Sequence, residues 1–305
     1  MREPAEQGSR TGLKAALLAL IATQAMASEP AGPSTPPASS PTQPGAELES
    51  VTVEAQRRRQ RIDEEVSDFI VSVVGPAHVE SLSRWKVPIC ALTVGLSESM
   101  SYFVEGRVSQ IAKNADIPLG TPACAPNFVI VVTPEPQELL KDWWSEDHNL
   151  FNRDRGVGGV NRMIRTDQPV RVWHNACNIP PLRGYYQPSG QLDCGVGMTG
   201  SRLTHAAVRA IYSAIVVVDL DLIEGLTLGQ VADYVAMVGL VKIRPNPDLG
   251  EATTILGLFG ADDARRPKGL TTWDQYFLKA IYETTDGSVT ELAQIKLRMS
   301  EDLAR

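Results

Sequence analysis

Residues 215–240, IVVVDLDLIEGLTLGQVADYVAMVGL, contain the clearest structural pattern in the chain. The stretch opens with a short run of β-branched residues, which is typical of a buried strand. Thr227 and Gln230 then have the spacing of a capping box, in which each side chain satisfies a backbone N–H group of the other residue. A helix is therefore predicted from about 228 to 238, and Gly239 is predicted to end it in the left-handed conformation. Because this helix is apolar on nearly every side, we expect it in the core.

The same helix can be compared with the zincin metalloprotease signature H-E-x-x-H-x-x-G. Asp233 stands where the general base would be, Gly239 stands at the glycine, and Ala232 and Ala236 occupy the two histidine positions. Zinc needs those two imidazoles one helical turn apart, and alanine offers no lone pair. We therefore interpret these positions as a vestigial site and predict no metal and no catalytic residue there.

A resemblance to a known family rests on residues 215–240 together with RWKVPIC (84–90), CAPNFVIVV (124–132) and GLTTWDQYFLKAIY (269–282). In these segments, which lie within about residues 85–285, the chain resembles a family of uncharacterised exported proteins of Gram-negative bacteria whose C-terminal half is zincin-like. The resemblance implies a degenerate metalloprotease-like scaffold. The alternative is a buried helix with an incidental acidic residue.

Strand and helix patterns alternate outside this stretch, which predicts an α/β to α+β fold with a mixed sheet, covering helices and a zincin-like layout in the C-terminal half. Two further capping boxes, at Thr271 with Asp274 and at Ser288 with Glu291, predict the last two helices. Residues 155–160 are glycine-rich. The predicted helices cover about 55–74, 98–115, 137–144, 204–213, 272–283 and 289–304, and the predicted strands cover 85–96, 127–132, 168–175 and 214–219.

A second motif, Gly195, Gly197 and Gly200, matches G-x-G-x-x-G, and Asp219 follows it at the spacing of a dinucleotide-binding fingerprint. A predicted helix follows the glycines, but no apolar strand precedes them. A glycine-rich loop is the preferred interpretation, and a dinucleotide-binding enzyme remains an alternative. Asp219 with Asp221 is a weak candidate for a divalent cation.

The four cysteines and four histidines are interpreted as structural. An even number of cysteines in an exported chain favours disulfides, and we expect Cys90 to pair with Cys124 and Cys177 with Cys194, because each pair closes a local segment. The histidines show no ligand spacing, and His174 is interpreted as a hydrogen-bonded strand residue.

The N-terminus has the organisation of an exported protein. Residues 1–27 combine basic residues, a short apolar run and small residues, which predicts a signal peptide cleaved after Ala27. Residues 28–50 are rich in proline and serine and predict a disordered tether. Residues 51–305 are expected to form a single globular domain, with possible lobes at 51–150 and 151–305.

The charge balance narrows the choice of partner. The net charge is −7, and residues 1–27 carry three basic and two acidic groups, so the mature chain carries −8. This sign argues against nucleic acid, and no segment is long enough to span a membrane. The sequence predicts a periplasmic or secreted, non-catalytic binding or interaction protein without a cofactor, whose partner is an unknown protein or envelope ligand. An exported hydrolase with an unrecognised metal set is the alternative.

Overall fold

The computed structural model describes part of the chain, and residues 1–47 and 48–305 form two separate units. The expected signal peptide and most of the expected tether lie outside the described residues. The described residues are 44–75, 82–151, 156–180, 192, 194, 207–260, 262, 264–286 and 290–305.

Helices and strands alternate through the described part of the chain. The helices are α1 (Pro44–Val74), α2 (Glu98–Asn114), α3 (Pro136–Glu146), α4 (Gly156–Arg165), α5 (Leu228–Leu240), α6 (Thr272–Glu283) and α7 (Glu291–Leu303). The strands are β1 (Arg84–Trp85), β2 (Ala91–Val94), β3 (Phe128–Thr133), β4 (Val170–Ile179) and β5 (Val208–Asp219).

The central strand of the mixed sheet is β5. One edge of β5 pairs with the antiparallel strand β4, and the other edge pairs in parallel with β1 and β3. Beyond β3 lies β2, also parallel. Strands from both expected lobes, 51–150 and 151–305, therefore share one sheet. The predicted mixed sheet with covering helices is confirmed.

Helices cover both faces of the sheet. On one face α1, α2, α5, α6 and α7 enclose the larger apolar core, which includes Phe69, Phe128, Val216, Met237 and Phe277. On the other face α3 and α4 enclose a smaller core around Trp173. The sheet is thus the middle layer of three.

The helix predicted at 204–213 is wrong, because β5 already begins at Val208. Most of β5 is buried, and it has neighbours on both edges and on both faces. Such a strand loses the alternation of polar and apolar residues that would have distinguished it from a helix. The strand predicted over 85–96 is two short strands, of which β1 pairs with β5 and β2 pairs with β3.

Three other boundaries differ from the prediction. Helix α1 begins at Pro44, so the last residues of the segment predicted as a disordered tether, 28–50, are helical, and the rest of that segment lies outside the described residues. The glycine-rich residues 155–160 belong largely to α4, which is held by Val160 and Ile164 in the smaller core. Helix α7 begins at Glu291, and Ser288 of the predicted capping box lies outside the described residues.

Gly239 does not end α5, so the predicted left-handed glycine is wrong. The helix continues to Leu240, and Gly239 is absent from the glycines with positive φ among the described residues. A Cβ atom at Gly239 would overlap the Phe128 ring of β3. Glycine is required here by the close approach of α5 to the sheet.

Candidate functional site

A groove of about 1650 Å³ lies beside α5, between the start of β4 and the long connection that follows α5. One wall is formed by α4, by the α4–β4 connection and by residues 170–172 and 174 of β4. The opposite wall is formed by residues 243–260, with Tyr234 and Val238 of α5. Small-molecule sites usually occupy about 300 to 1000 Å³, so this groove is larger than one such ligand requires.

Apolar side chains form much of the groove lining. Tyr234 and Phe259 meet edge to face, with ring centroids 4.7 Å apart. Val172, Leu249 and Leu256 also line it. Burial raises the pKa of Tyr234 to about 12. The phenol therefore stays neutral at physiological pH, and its hydroxyl group forms no hydrogen bond with the described residues.

The described lining is positively charged, although the whole chain carries a net charge of −7. The carboxylates in the lining are Asp248 and Glu251. The arginines in the lining are Arg162, Arg171, Arg244 and Arg265. Of the three exposed arginines in the lining, Arg265 alone has an ion-pair partner among the described residues, Asp262 at 3.0 Å. An anionic group is thus favoured in the groove.

Arg171 differs from the other arginines because its side chain is only 1% exposed. Its Nε donates to the Thr166 carbonyl at 3.0 Å, which orients the guanidinium. The nearest carboxylates lie beyond hydrogen-bond distance, Asp219 at 3.6 Å and Asp167 at 3.9 Å. Nη1 and Nη2 have no hydrogen-bond partner among the described residues. Leaving such groups unsatisfied costs about 1 to 3 kcal/mol each.

His174 lies in β4, where a structural histidine was expected. Its Nε2 is 3.1 Å from the Gly239 carbonyl oxygen. Because a carbonyl oxygen only accepts, Nε2 carries the proton and donates it. The ring therefore links the edge strand to the C-terminal end of α5, which fits the structural interpretation.

The vestigial metal positions do not line the groove. Ala232 and Ala236 are fully buried in the larger core. Asp233 is also buried, and both of its carboxylate oxygens accept hydrogen bonds from Arg107 of α2. The Leu270 N–H group donates to the same carboxylate at 2.6 Å. Asp233 thus joins α5 to α2 and to the start of α6, and a base at this position does not face the groove.

The glycines of the dinucleotide fingerprint, residues 195–200, lie outside the described residues. The helix that should follow them is replaced by β5 from Val208 onward. Asp219 ends β5 and accepts a hydrogen bond from the Asp221 N–H group at 3.2 Å. Among the described residues, no three His, Cys, Asp or Glu side chains lie where they could hold a metal ion together.

The disulfides join Cys90 to Cys124 and Cys177 to Cys194, as expected. Within the described part of the chain, no helix is both long enough and apolar enough to cross a membrane. The two disulfides are compatible with a periplasmic or extracellular location.

The groove itself was not predicted from the sequence. Residues 243–260 have no helical or strand periodicity, so nothing indicated that they form a wall opposite β4. Arg171 gave no signal either, because the strand also contains His174, Asn175 and Asn178. Comparisons with protein-family models, with curated proteins and with solved structures found no match to this chain.

Proposed function

We propose that this chain is an exported, non-catalytic binding protein whose groove holds an extended peptide segment of a partner. The observation that carries the proposal is the size of the groove, about 1650 Å³, together with its mixed lining. A peptide of several residues suits a site of this volume better than one compact metabolite does.

The chemistry of the lining supports a peptide. Apolar side chains on both walls can take alternate side chains of an extended chain, and polar groups between them can meet its backbone. Glycines on both walls, including Gly158, Gly250 and Gly260, expose backbone at the groove surface. The Tyr234 hydroxyl group lies in the same lining, has no hydrogen-bond partner among the described residues and can donate to a ligand.

A binding role is also supported by the contacts of the polar groups near α5. Asp233 is held by Arg107 and Leu270, and His174 is held by Gly239. The Thr254 hydroxyl donates to Asp274.

We further propose that the scaffold is a degenerate zincin-like one. In support, an antiparallel edge strand runs beside α5, and α6 begins with a Thr-x-x-Asp capping box.

The test is selection of displayed random peptides on the oxidised protein, followed by affinity measurement on groove-filling variants. Gly158 and Gly260 line the groove, and a Cβ at either position meets no atom within 4 Å. Gly158→Trp and Gly260→Trp should therefore fold and fill the groove. Gly106→Trp is the matched control, because Gly106 has equally open surroundings and lies on α2, outside the groove.

We expect selected peptides to bind the wild type and Gly106→Trp alike, and to lose at least tenfold in affinity for both groove variants. Equal binding to all three variants would place the peptide elsewhere and overturn the proposal. The selected peptides are also incubated with the wild type and examined by mass spectrometry. Cleavage that is lost in the groove variants would replace the binding role with the hydrolase alternative.

A further inference from the structure

We infer that the bound segment adds a strand to the sheet by pairing its main chain with the open edge of β4 at Val170 and Val172. This inference rests on the proposed peptide-binding function and specifies how the groove recognises its peptide. The class of partner is an extended segment with free main-chain N–H groups, and its conformation matters more than its exact sequence.

The hydrogen bonds between β4 and β5 determine which groups of β4 face outward. The Asp219 N–H group donates to the Pro169 carbonyl at 2.9 Å, so these two residues form a hydrogen-bonded pair. In an antiparallel ladder such pairs alternate with pairs whose N–H and C=O groups point away from each other. Arg171 is therefore the next residue bonded to β5, whereas Val170 and Val172 direct their N–H and C=O groups away from it.

The other edge of β5 gives an independent check of this alternation. The Ala214 N–H group donates to the Asn127 carbonyl at 2.9 Å, on the side of β5 where β3 lies. Every second residue of β5 after Ala214 therefore faces β3. Those residues stand opposite Val170 and Val172 in the register of β4. The two valines are thus not bonded to β5 through their main chain.

The outward groups of the two valines lie at the groove. Val170 and Val172 both belong to its lining, and Val172 is half-buried. Within the described part of the chain, no hydrogen bond reaches their outward N–H or C=O groups. An added strand would lie about 4.8 Å from β4 in the plane of the sheet. Its side chains would alternate between α4 on one face and Tyr234 of α5 on the other.

The opposite edge of the sheet is protected in a way that this edge is not. At the β2 edge, the Thr93 N–H group donates to the Glu105 carboxylate of α2 at 2.7 Å. Proteins commonly block sheet edges with charged side chains, which prevents pairing with another chain. Among the described residues, no side chain meets the main chain of Val170 or Val172 in this way. The unprotected edge is therefore the one inside the groove.

The charge of the groove favours an acidic segment on this edge. Arg162 of α4 and Arg244 of the opposite wall are exposed, and neither forms an ion pair with a described residue. Since the side chains of a strand alternate between its two faces, an acidic residue on either face can approach one arginine.

The experiment uses the tightest peptide from display selection on the wild type, synthesised with blocked ends. In a series of analogues, each main-chain N–H group in turn is replaced by N–CH3, which removes the donor and places a methyl group between the two strands. Affinity for the full mature, oxidised protein is measured by calorimetry. Methylation should weaken binding about tenfold at two residues that are two positions apart, and less than about threefold at the residue between them.

Two variants locate the pairing on β4. Val172→Pro removes the outward N–H group, and proline is tolerated at an edge position whose N–H group lies outside the ladder. Val172→Ala is the matched control, because it shortens the side chain but keeps the N–H group. Val172→Pro should bind the peptide about fivefold more weakly than Val172→Ala does. The methylated series tests the inference by itself if Val172→Pro does not fold.

The outcomes separate the two proposals. If display selection yields no binder, the peptide-binding function fails, and the inference fails with it. If peptides bind in the groove but methylation has no alternating effect, the function stands and strand addition is overturned. Equal binding by Val172→Pro and Val172→Ala would place the pairing at another edge. A dimer in solution that the peptide dissociates would make a second copy of the chain the natural occupant, which would also overturn the inference.

Discussion

The contact between α5 and α6 and the groove beside α5 differ in how their polar side chains are hydrogen-bonded. The α5–α6 seam, defined here by Asp233, Asp274 and Tyr282, gives each of these side chains a hydrogen-bond partner. In the groove lining, Nη1 and Nη2 of Arg171 have no hydrogen-bond partner among the described residues, although Asp219 lies 3.6 Å and Asp167 3.9 Å away. The hydroxyl group of Tyr234 likewise forms no hydrogen bond with the described residues. Native proteins satisfy most buried polar groups. The hydrogen bonds of the seam therefore maintain the fold, whereas the groove residues are those that we propose to meet a partner.

The largest effect expected from this comparison is the loss of Asp274. Its carboxylate accepts from the Ile255 and Thr271 N–H groups, both at 2.8 Å, and from the hydroxyl groups of Thr254 and Thr271. Asp274→Ala leaves these donors buried, so we expect the free energy of unfolding to fall by about 3 to 5 kcal/mol. Urea denaturation of the oxidised protein measures the change.

The control for Asp274→Ala is Asp262→Ala. Asp262 is 80% exposed and pairs with Arg265 within one turn, so its loss should change stability by less than about 0.5 kcal/mol. Equal effects of the two substitutions would show that the hydrogen bonds of Asp274 do not hold the seam.

A smaller loss is expected at Asp233. Asp233→Ala removes the ion pair with Arg107 and leaves the Leu270 N–H group without its acceptor. Because the Arg107 side chain is 33% exposed and can turn to water, we expect a loss of about 2 to 3 kcal/mol.

Asp233→Asn separates the contribution of the Arg107 ion pair to stability from that of the hydrogen bond from Leu270. The amide oxygen can still accept from Leu270, so Asn should recover part of the stability that Ala loses. If Asn is as destabilising as Ala, the ion pair with Arg107 supplies the whole effect, and the contact to the start of α6 supplies none.

The sequence predicted the contacts near the seam that are local in the chain, but not those between distant residues. The Thr227 with Gln230 and Thr271 with Asp274 capping boxes are both confirmed, because each depends on residues three positions apart. The same local pattern could not show that Asp274 also binds Thr254, a residue 20 positions away. That contact depends on where the connection after α5 folds back.

The groove could not be predicted for the same reason. The groove lies between β4 and residues 243–260. Nothing in the sequence of either segment indicates that the two lie close together. The comparison with the metalloprotease signature placed Ala232 and Ala236 at a site, yet both face the core. Residues at i+2 in the same helix, Tyr234 and Val238, line the groove instead. On an apolar helix, the sequence does not show which stripe faces a cavity.

The pH dependence of stability should show whether burial or hydrogen bonding dominates the pKa of Asp274. Burial raises the pKa of Asp274 above its ordinary value, against the opposing effect of its hydrogen bonds. A raised folded pKa gives a contribution that is fully present below the ordinary value of 3.8 and is lost as pH rises through the folded value. The stability difference between the wild type and Asp274→Asn should therefore be larger near pH 4 than at pH 7. A difference that grows toward pH 7 would show that the hydrogen bonds outweigh burial.

The smallest expected effect comes from one tyrosine of the groove, and it is tested against a tyrosine of the seam. Tyr282 donates to the Leu240 carbonyl at 2.6 Å and accepts from the Trp85 N–H group, so Tyr282→Phe should cost about 1 to 2 kcal/mol. Tyr234→Phe should change stability by less than about 0.5 kcal/mol, because its hydroxyl group has no partner among the described residues. In peptide binding the order should reverse, since only Tyr234 lines the groove. A large loss of stability in Tyr234→Phe would remove the distinction between the two sides of α5, because the groove hydroxyl would then also serve the fold.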